Sequence, residues 1–174
     1  VVSDELHADI TYGATHVPFA SLAPELAGRT LTLYGPTKAF NFPGLGICFA
    51  LTSGPAQLEL LGAATGGLHS WPSRLAEAAA LAAYSGCDDW LEQALAYLRG
   101  NRDRVVEFVR GELPGASVHV PEATYLAWLD LRGTGLGEKP AARLAELAKV
   151  GLNEGADFGA GGAGFARLNF ATCH

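Results

Sequence analysis

Lys38 is the residue whose surroundings point most directly to chemistry. Ala39, Phe40, Phe42 and Pro43 follow it, and it falls between two runs with strand character, 29–34 and 46–51. A lysine in so apolar a stretch is partly desolvated, which favours the neutral amine. That is the form that attacks a carbonyl carbon. A lysine whose stem snorkels along a surface turn fits the position as well. The other lysines, Lys139 and Lys149, lie where solvent exposure is expected.

Asp4 follows Val1 and Val2, which read as the end of a buried strand. Strand ends facing a crevice are where α/β enzymes place polar working groups. An aspartate there could keep a pyridinium nitrogen protonated and so maintain an electron sink; a cap or turn role is the plainer alternative. His7, three residues on, could bond a ring hydroxyl or serve structure alone. In the last strand, the two-residue period puts Ala166, Leu168 and Phe170 on one face and Phe165, Arg167 and Asn169 on the other. The second face sets a guanidinium beside an amide and an aromatic, suited to gripping a carboxylate; a solvated arginine on an outer sheet face has the same pattern.

The elements that must position these groups follow from apolar spacing and caps. After the strands at 29–34 and 46–51, the second almost wholly apolar and expected to be covered on both faces, Ser73 can cap a helix over 74–84. Asp88 can cap a longer one that ends before Pro114, with Gly100 as its weak point. Strand-like segments surround Val118 and 125–129, Pro140 opens a helix through Val150 that Gly151 suits as cap, and 165–170 is a final strand. The Gly-rich stretch 155–164 matches no phosphate-binding pattern, leads into a strand, and reads as a flexible connection. The expected organisation is α/β: a mostly parallel sheet unit over 1–87, a connecting helix over 88–115, and a small α+β unit over 116–174.

Composition excludes several classes. A net charge of −6 with scattered basic residues leaves no stripe for a nucleic-acid backbone. Every apolar run is broken by Gly, Pro or a charge before membrane-span length. Cys48, Cys87 and Cys173 fit no metal or redox spacing and read as buried or incidental thiols in a reducing, cytoplasmic compartment. His7, His16, His69, His119 and His174 are too widely spaced to suggest a metal cluster. The absence of Met and the strand-like ends suggest part of a longer protein.

Three segments together resemble a known family: Ser3-Asp4-Glu5-Leu6-His7-Ala8-Asp9, His16-Val17-Pro18-Phe19, and Pro36-Thr37-Lys38-Ala39-Phe40-Asn41. The chain is similar to fold-type I pyridoxal-phosphate (PLP) enzymes, in the cystathionine β-lyase-like branch of the class I/II aminotransferase superfamily. The similarity continues through 125–130, 155–159 and 165–170. It implies the C-terminal part of the PLP-binding large domain followed by a truncated small domain. By that resemblance Lys38 forms the Schiff base, Asp4 faces the pyridinium nitrogen, and His7 lies beside the ring hydroxyl. Thr37 contacts the phosphate and Arg167 binds the substrate α-carboxylate. Many aminotransferases carry a serine three residues before the lysine and an arginine eight after it, where this chain has Gly35 and Gly46. That departure fits the lyase-like branch. The implied reaction is α,β-elimination on a sulfur-bearing amino acid in a homodimer, with pyridoxal 5'-phosphate as cofactor and no nucleic-acid or membrane partner. An aminotransferase, a sensor domain of a transcription regulator and an inert fragment are the alternatives.

Overall fold

The computed structural model describes residues 1–66 and 71–173; His69 and His174 lie outside the described residues. The chain divides into two compact units, Val1–Gln93 and Ala94–His174.

The first unit begins with β1 (Val2–Asp4), a short helix α1 (Pro24–Ala27), β2 (Leu31–Tyr34) and β3 (Phe49–Leu51). The sheet order is β1-β2-β3, with β1 parallel and β3 antiparallel to β2. It is mixed rather than mostly parallel among the described residues. Two sequence expectations change here. β3 is shorter than 46–51, because Gly46 takes a left-handed conformation (φ 62°) that ends a 3-10 turn over Pro43–Leu45 before the strand can start. Among the described residues each outer strand has a single neighbour, and β3 is exposed along its length rather than covered on both faces; Val1 and Val2 are exposed as well.

Two helices follow, α2 (Pro55–Ala64) and α3 (Arg74–Gly86). The Ser73 hydroxyl accepts from the Ala76 amide at 3.1 Å, the cap expected of it. Ala76, Ala80 and Ile47 form a small core, with Phe42 and Leu45 packed against it. Small alanines at a four-residue spacing let the helix sit close to the chain that precedes β3.

Helix α4 (Asp88–Glu112) spans the residues at which the units divide and runs unbroken through Gly100. The second unit then builds β4 (Ser117–Val118), β5 (Leu126–Asp130), helix α5 (Pro140–Ala148), β6 (Asn153–Glu154) and β7 (Phe165–Asn169). Its antiparallel sheet has the order β4-β5-β7-β6. Ala127, Leu129, Ala166 and Phe170 point to the buried side, the face the two-residue period assigns. Helix α5 ends at Lys149, which adopts the left-handed conformation (φ 61°) expected of Gly151.

The Gly-rich stretch is not a loose connection. It winds a 3-10 turn over Gly155–Phe158 and is pinned by bonds from Gly162 N–H to Gly159 C=O (3.0 Å) and from Gly164 N–H to Glu138 C=O (3.0 Å). A methyl built on Gly155 or Gly162 would overlap the other's backbone oxygen or that of Phe165. These two glycines permit a close backbone approach instead of supplying freedom. Of the two readings of the thiols, the buried one does not hold: Cys48 and Cys173 are exposed, Cys87 is half-buried, and all are free.

Candidate active site

β1 and β2 run parallel, with Asp4 level with Leu33, so their carboxyl ends open at one edge of the sheet. Asp4 closes β1 and is exposed; its Oδ1 accepts from the Leu6 amide at 3.2 Å, the turn role that its residue type allows. The turn continues through bonds from Ala8 N–H to Glu5 C=O and from Ile10 N–H to His7 C=O, each 3.0 Å, with His7 half-buried on it.

β2 leads into a wound turn. The Phe40 amide donates to Pro36 C=O (2.9 Å) and the Phe42 amide to Thr37 C=O (3.1 Å), while Asn41 takes a left-handed φ of 56°. Asparagine tolerates that conformation better than most residues. Pro36, Thr37 and Ala39 are buried, so the turn's backbone is anchored. Lys38 is half-buried on it, whereas Lys139 and Lys149 are exposed. Among the described residues no hydrogen bond or ion pair engages the Lys38 amine. Phe40 meets Tyr84 edge-on at 5.9 Å and stacks on Trp90 at 6.1 Å, which fixes the far side of the turn.

The two glycines flanking Lys38 have structural reasons. A Cβ at Gly35 would lie 3.1 Å from the Ile47 carbonyl oxygen and 3.3 Å from the Cys48 Cα, leaving little room for a serine. Gly46 has its positive φ, where an arginine would be strained. Cys48 stands at the same edge. Partial desolvation of the sulfur pushes its thiol up although the residue as a whole is exposed, the Tyr34 amide opposes that rise, and the Asp4 charge adds to it.

Two clusters at this edge, Glu5 with His16 and Tyr34 with Asp9, were not legible from their own sequence neighbourhoods. Glu5, 7% exposed, accepts from the Ser3 hydroxyl (3.0 Å) and the Phe19 amide (3.0 Å), and its Oε2 meets His16 Nε2 at 2.7 Å. Burial alone would raise the Glu5 carboxyl, but the bonds from His16, Phe19 and Ser3 outweigh it and hold the group below the usual range. Tyr34 donates to both carboxylate oxygens of Asp9 at 2.9 Å. These partners stand 11, 14 and 25 residues apart in sequence, separations that no local pattern reveals.

Arg167 lies on β7 in the second unit, opposite Trp128 on β5 and Asn153 on β6. Its Nε and Nη2 donate to Asn153 Oδ1 at 3.3 and 3.1 Å, and its Cζ lies 4.5 Å over the Phe158 ring. A guanidinium beside an amide and an aromatic is the expected constellation, but different residues supply it. Asn169 Oδ1 accepts from the Ala171 amide at the strand end, and Phe165 sits under Arg132 at 4.7 Å. Asn153 and Phe158, brought in by β6 and the Gly-rich stretch, take their places. The structure thus gathers Asp4, His7, Thr37 and Lys38 at one sheet edge of the first unit and places Arg167 in the second. Among the described residues no group of three or more His, Cys, Asp or Glu could hold a metal ion, and no helix is long and apolar enough to cross a membrane.

The family model for aminotransferases of class I and II matches residues 1–174. Cystathionine beta-lyase PatB of Bacillus subtilis is 37% identical over 176 residues, covering 97% of this chain and 44% of its own length. Aspartate aminotransferase of Geobacillus stearothermophilus is 32% identical, covering 99% of this chain and 44% of its own length. Among solved structures, cystalysin of Treponema denticola, which contains a pyridoxal 5'-phosphate cofactor, matches with a TM-score of 0.91 at 30% identity over 98% of this chain and 44% of that one. The chain spans about half the length of the curated relatives it matches.

Proposed function

The chain belongs to the aminotransferase class I and II family, and we propose that the whole protein is a PLP-dependent carbon–sulfur β-lyase acting on a cystathionine-type amino acid. The observation that carries this reading is Lys38: a half-buried lysine on an anchored turn, its amine unengaged by any described residue, at the carboxyl edge of a parallel strand pair that also ends in Asp4.

The residues present fit the cofactor. Lys38 would carry it covalently through Nζ, and the Asp4 carboxylate, whose Oδ2 bonds no described residue, would hold the proton on its ring nitrogen. His7 would lie beside the ring hydroxyl and Thr37 against the phosphate. When bound, PLP takes up the electron pair released at the substrate's α-carbon. In the substrate complex the Lys38 amine would serve as the general base that removes the α-proton. Arg167 would grip the α-carboxylate with the guanidinium edge that Asn153 leaves open. The Cβ–S bond then breaks with its electron pair leaving on sulfur, and water converts the remaining fragment to pyruvate and ammonia. For cystathionine, substrate and water give homocysteine, pyruvate and ammonia, which balances.

The absence of the serine and arginine that many aminotransferases carry supports elimination over transamination, and the tight surroundings of Gly35 and the positive φ of Gly46 disfavour those residues here. The likeness to an aspartate aminotransferase supports the second reading, which shares each step up to proton removal. The proposal includes a cytoplasmic homodimer with a small amino acid as its partner, the assembly the family resemblance implies. Incubation of the whole protein and PLP with cystathionine separates the readings. Pyruvate and thiol appearing in equal amounts is the expected result; the substrate's keto acid, formed without thiol, would overturn the lyase assignment in favour of transamination.

A further inference from the structure

Tyr34 closes β2 four residues before Lys38, and Asp9 lies two residues beyond His7. Backbone pairing between the first two strands closes with the Glu5 amide on the Leu33 carbonyl at 2.8 Å. Past that point the Tyr34 hydroxyl, bonded to both oxygens of Asp9 at 2.9 Å, joins the turn that carries His7 to the strand end that leads into Thr37 and Lys38. We infer that the Tyr34–Asp9 pair is a latch that keeps these two turns in one register, making Tyr34 and Asp9 positioning residues for the cofactor.

The latch is built to persist. Both side chains are half-buried, and the Tyr34 ring stacks on Tyr84 with centroids 6.2 Å apart and planes 13° from parallel. The Tyr34 phenol is held well above its ordinary range, by burial first and then by the bond to Asp9, so it remains a donor at working pH. A neutral hydroxyl donating to a carboxylate is a charge-assisted bond, stronger than a neutral pair. Replacing the tyrosine with phenylalanine removes this bond together with the phenol's hydrogen bond to Tyr84 and leaves the stacked ring, so Asp9→Asn is the variant that isolates the bond to Asp9.

The inference rests on the PLP reading, and its test separates the two. PLP is titrated into wild-type, Tyr34→Phe and Asp9→Asn forms of the whole apoprotein, following the visible absorbance band, with the thermal midpoint of each apoprotein recorded alongside. Loss of a charge-assisted bond predicts roughly tenfold weaker PLP binding for Tyr34→Phe, a shifted band, and a smaller loss for Asp9→Asn, whose amide oxygen still accepts. If Tyr34→Phe fails to fold, Asp9→Asn alone decides, and unchanged affinity and band overturn the latch. Wild-type affinity and an unmoved band in Tyr34→Phe, even with a lower thermal midpoint, would reduce the pair to a structural contact and leave the PLP reading standing. A wild-type protein that develops no band would overturn both.

Discussion

The two basic side chains at the centre of this account are held in opposite ways. In the first unit the turn beneath Lys38 is anchored by buried Pro36, Thr37 and Ala39, yet the amine itself meets no described partner. In the second unit Arg167 is engaged along one edge by Asn153 and across one face by Phe158. A nucleophile must exchange partners during a reaction, so a standing ion pair would have to be broken each cycle. A carboxylate grip gains from a guanidinium whose plane is already fixed, because less freedom is lost on binding. The contrast in their surroundings thus matches a contrast in their proposed work.

Substitutions can break or sharpen this contrast. The largest effect is expected at Lys38: Lys38→Ala in the whole protein should lower kcat by about 10²–10⁴-fold or more, the span that positioned acid–base groups contribute, and near-normal turnover would remove lysine from the chemistry. At Arg167 the loss should fall on KM. Arg167→Ala is expected to raise it roughly 10- to 100-fold, the cost of a charged bidentate contact, and steady-state kinetics with unchanged KM would place the substrate carboxylate elsewhere. Gly162→Ala probes the support beneath Arg167, since the added methyl meets the Gly155 carbonyl and displaces the stretch bearing Phe158. It should destabilise the protein by about 2 kcal/mol, read by urea denaturation, and an unchanged midpoint would show that the stretch yields freely.

The smallest effect is expected at Glu5, whose buried carboxylate anchors His16 and the Phe19 amide. Its native pKa lies below the ordinary 4.5. The stability gained by ionising it is therefore complete above about 4.5 and disappears as pH falls through the lowered native value. Glu5→Gln should cost about 1 kcal/mol near neutrality, and thermal melts should show the gap to wild type closing on acidification. A gap constant across that range would mean that the charge of Glu5 contributes nothing.

What the sequence disclosed and what it withheld divide along physical lines. Ser73 as a cap, the inward face of β7 and the turn that bears Lys38 were legible, because each depends on neighbours within a few residues. Helix α2 carries leucine and alanine around its whole circumference and so shows no apolar stripe. The Lys149 cap was missed because a lysine took the left-handed position while a glycine stood nearby. In the candidate site, Asp4, His7, Thr37 and Lys38 could be named from two short segments. Asn153, Glu5 with His16, and Asp9 with Tyr34 acquire meaning only when separated strands and turns meet. The glycines of 155–164 were misread since composition alone does not distinguish a free loop from a close backbone contact.

The most direct test of the account is to mix the whole protein with PLP, reduce it with borohydride and map the labelled peptide. The free, half-buried amine predicts label on Lys38, with Lys139 and Lys149 unmodified and no label in Lys38→Ala. Label confined to Lys139 or Lys149, or absent from the wild-type protein, would contradict the assignment of Lys38 and the cofactor chemistry built on it.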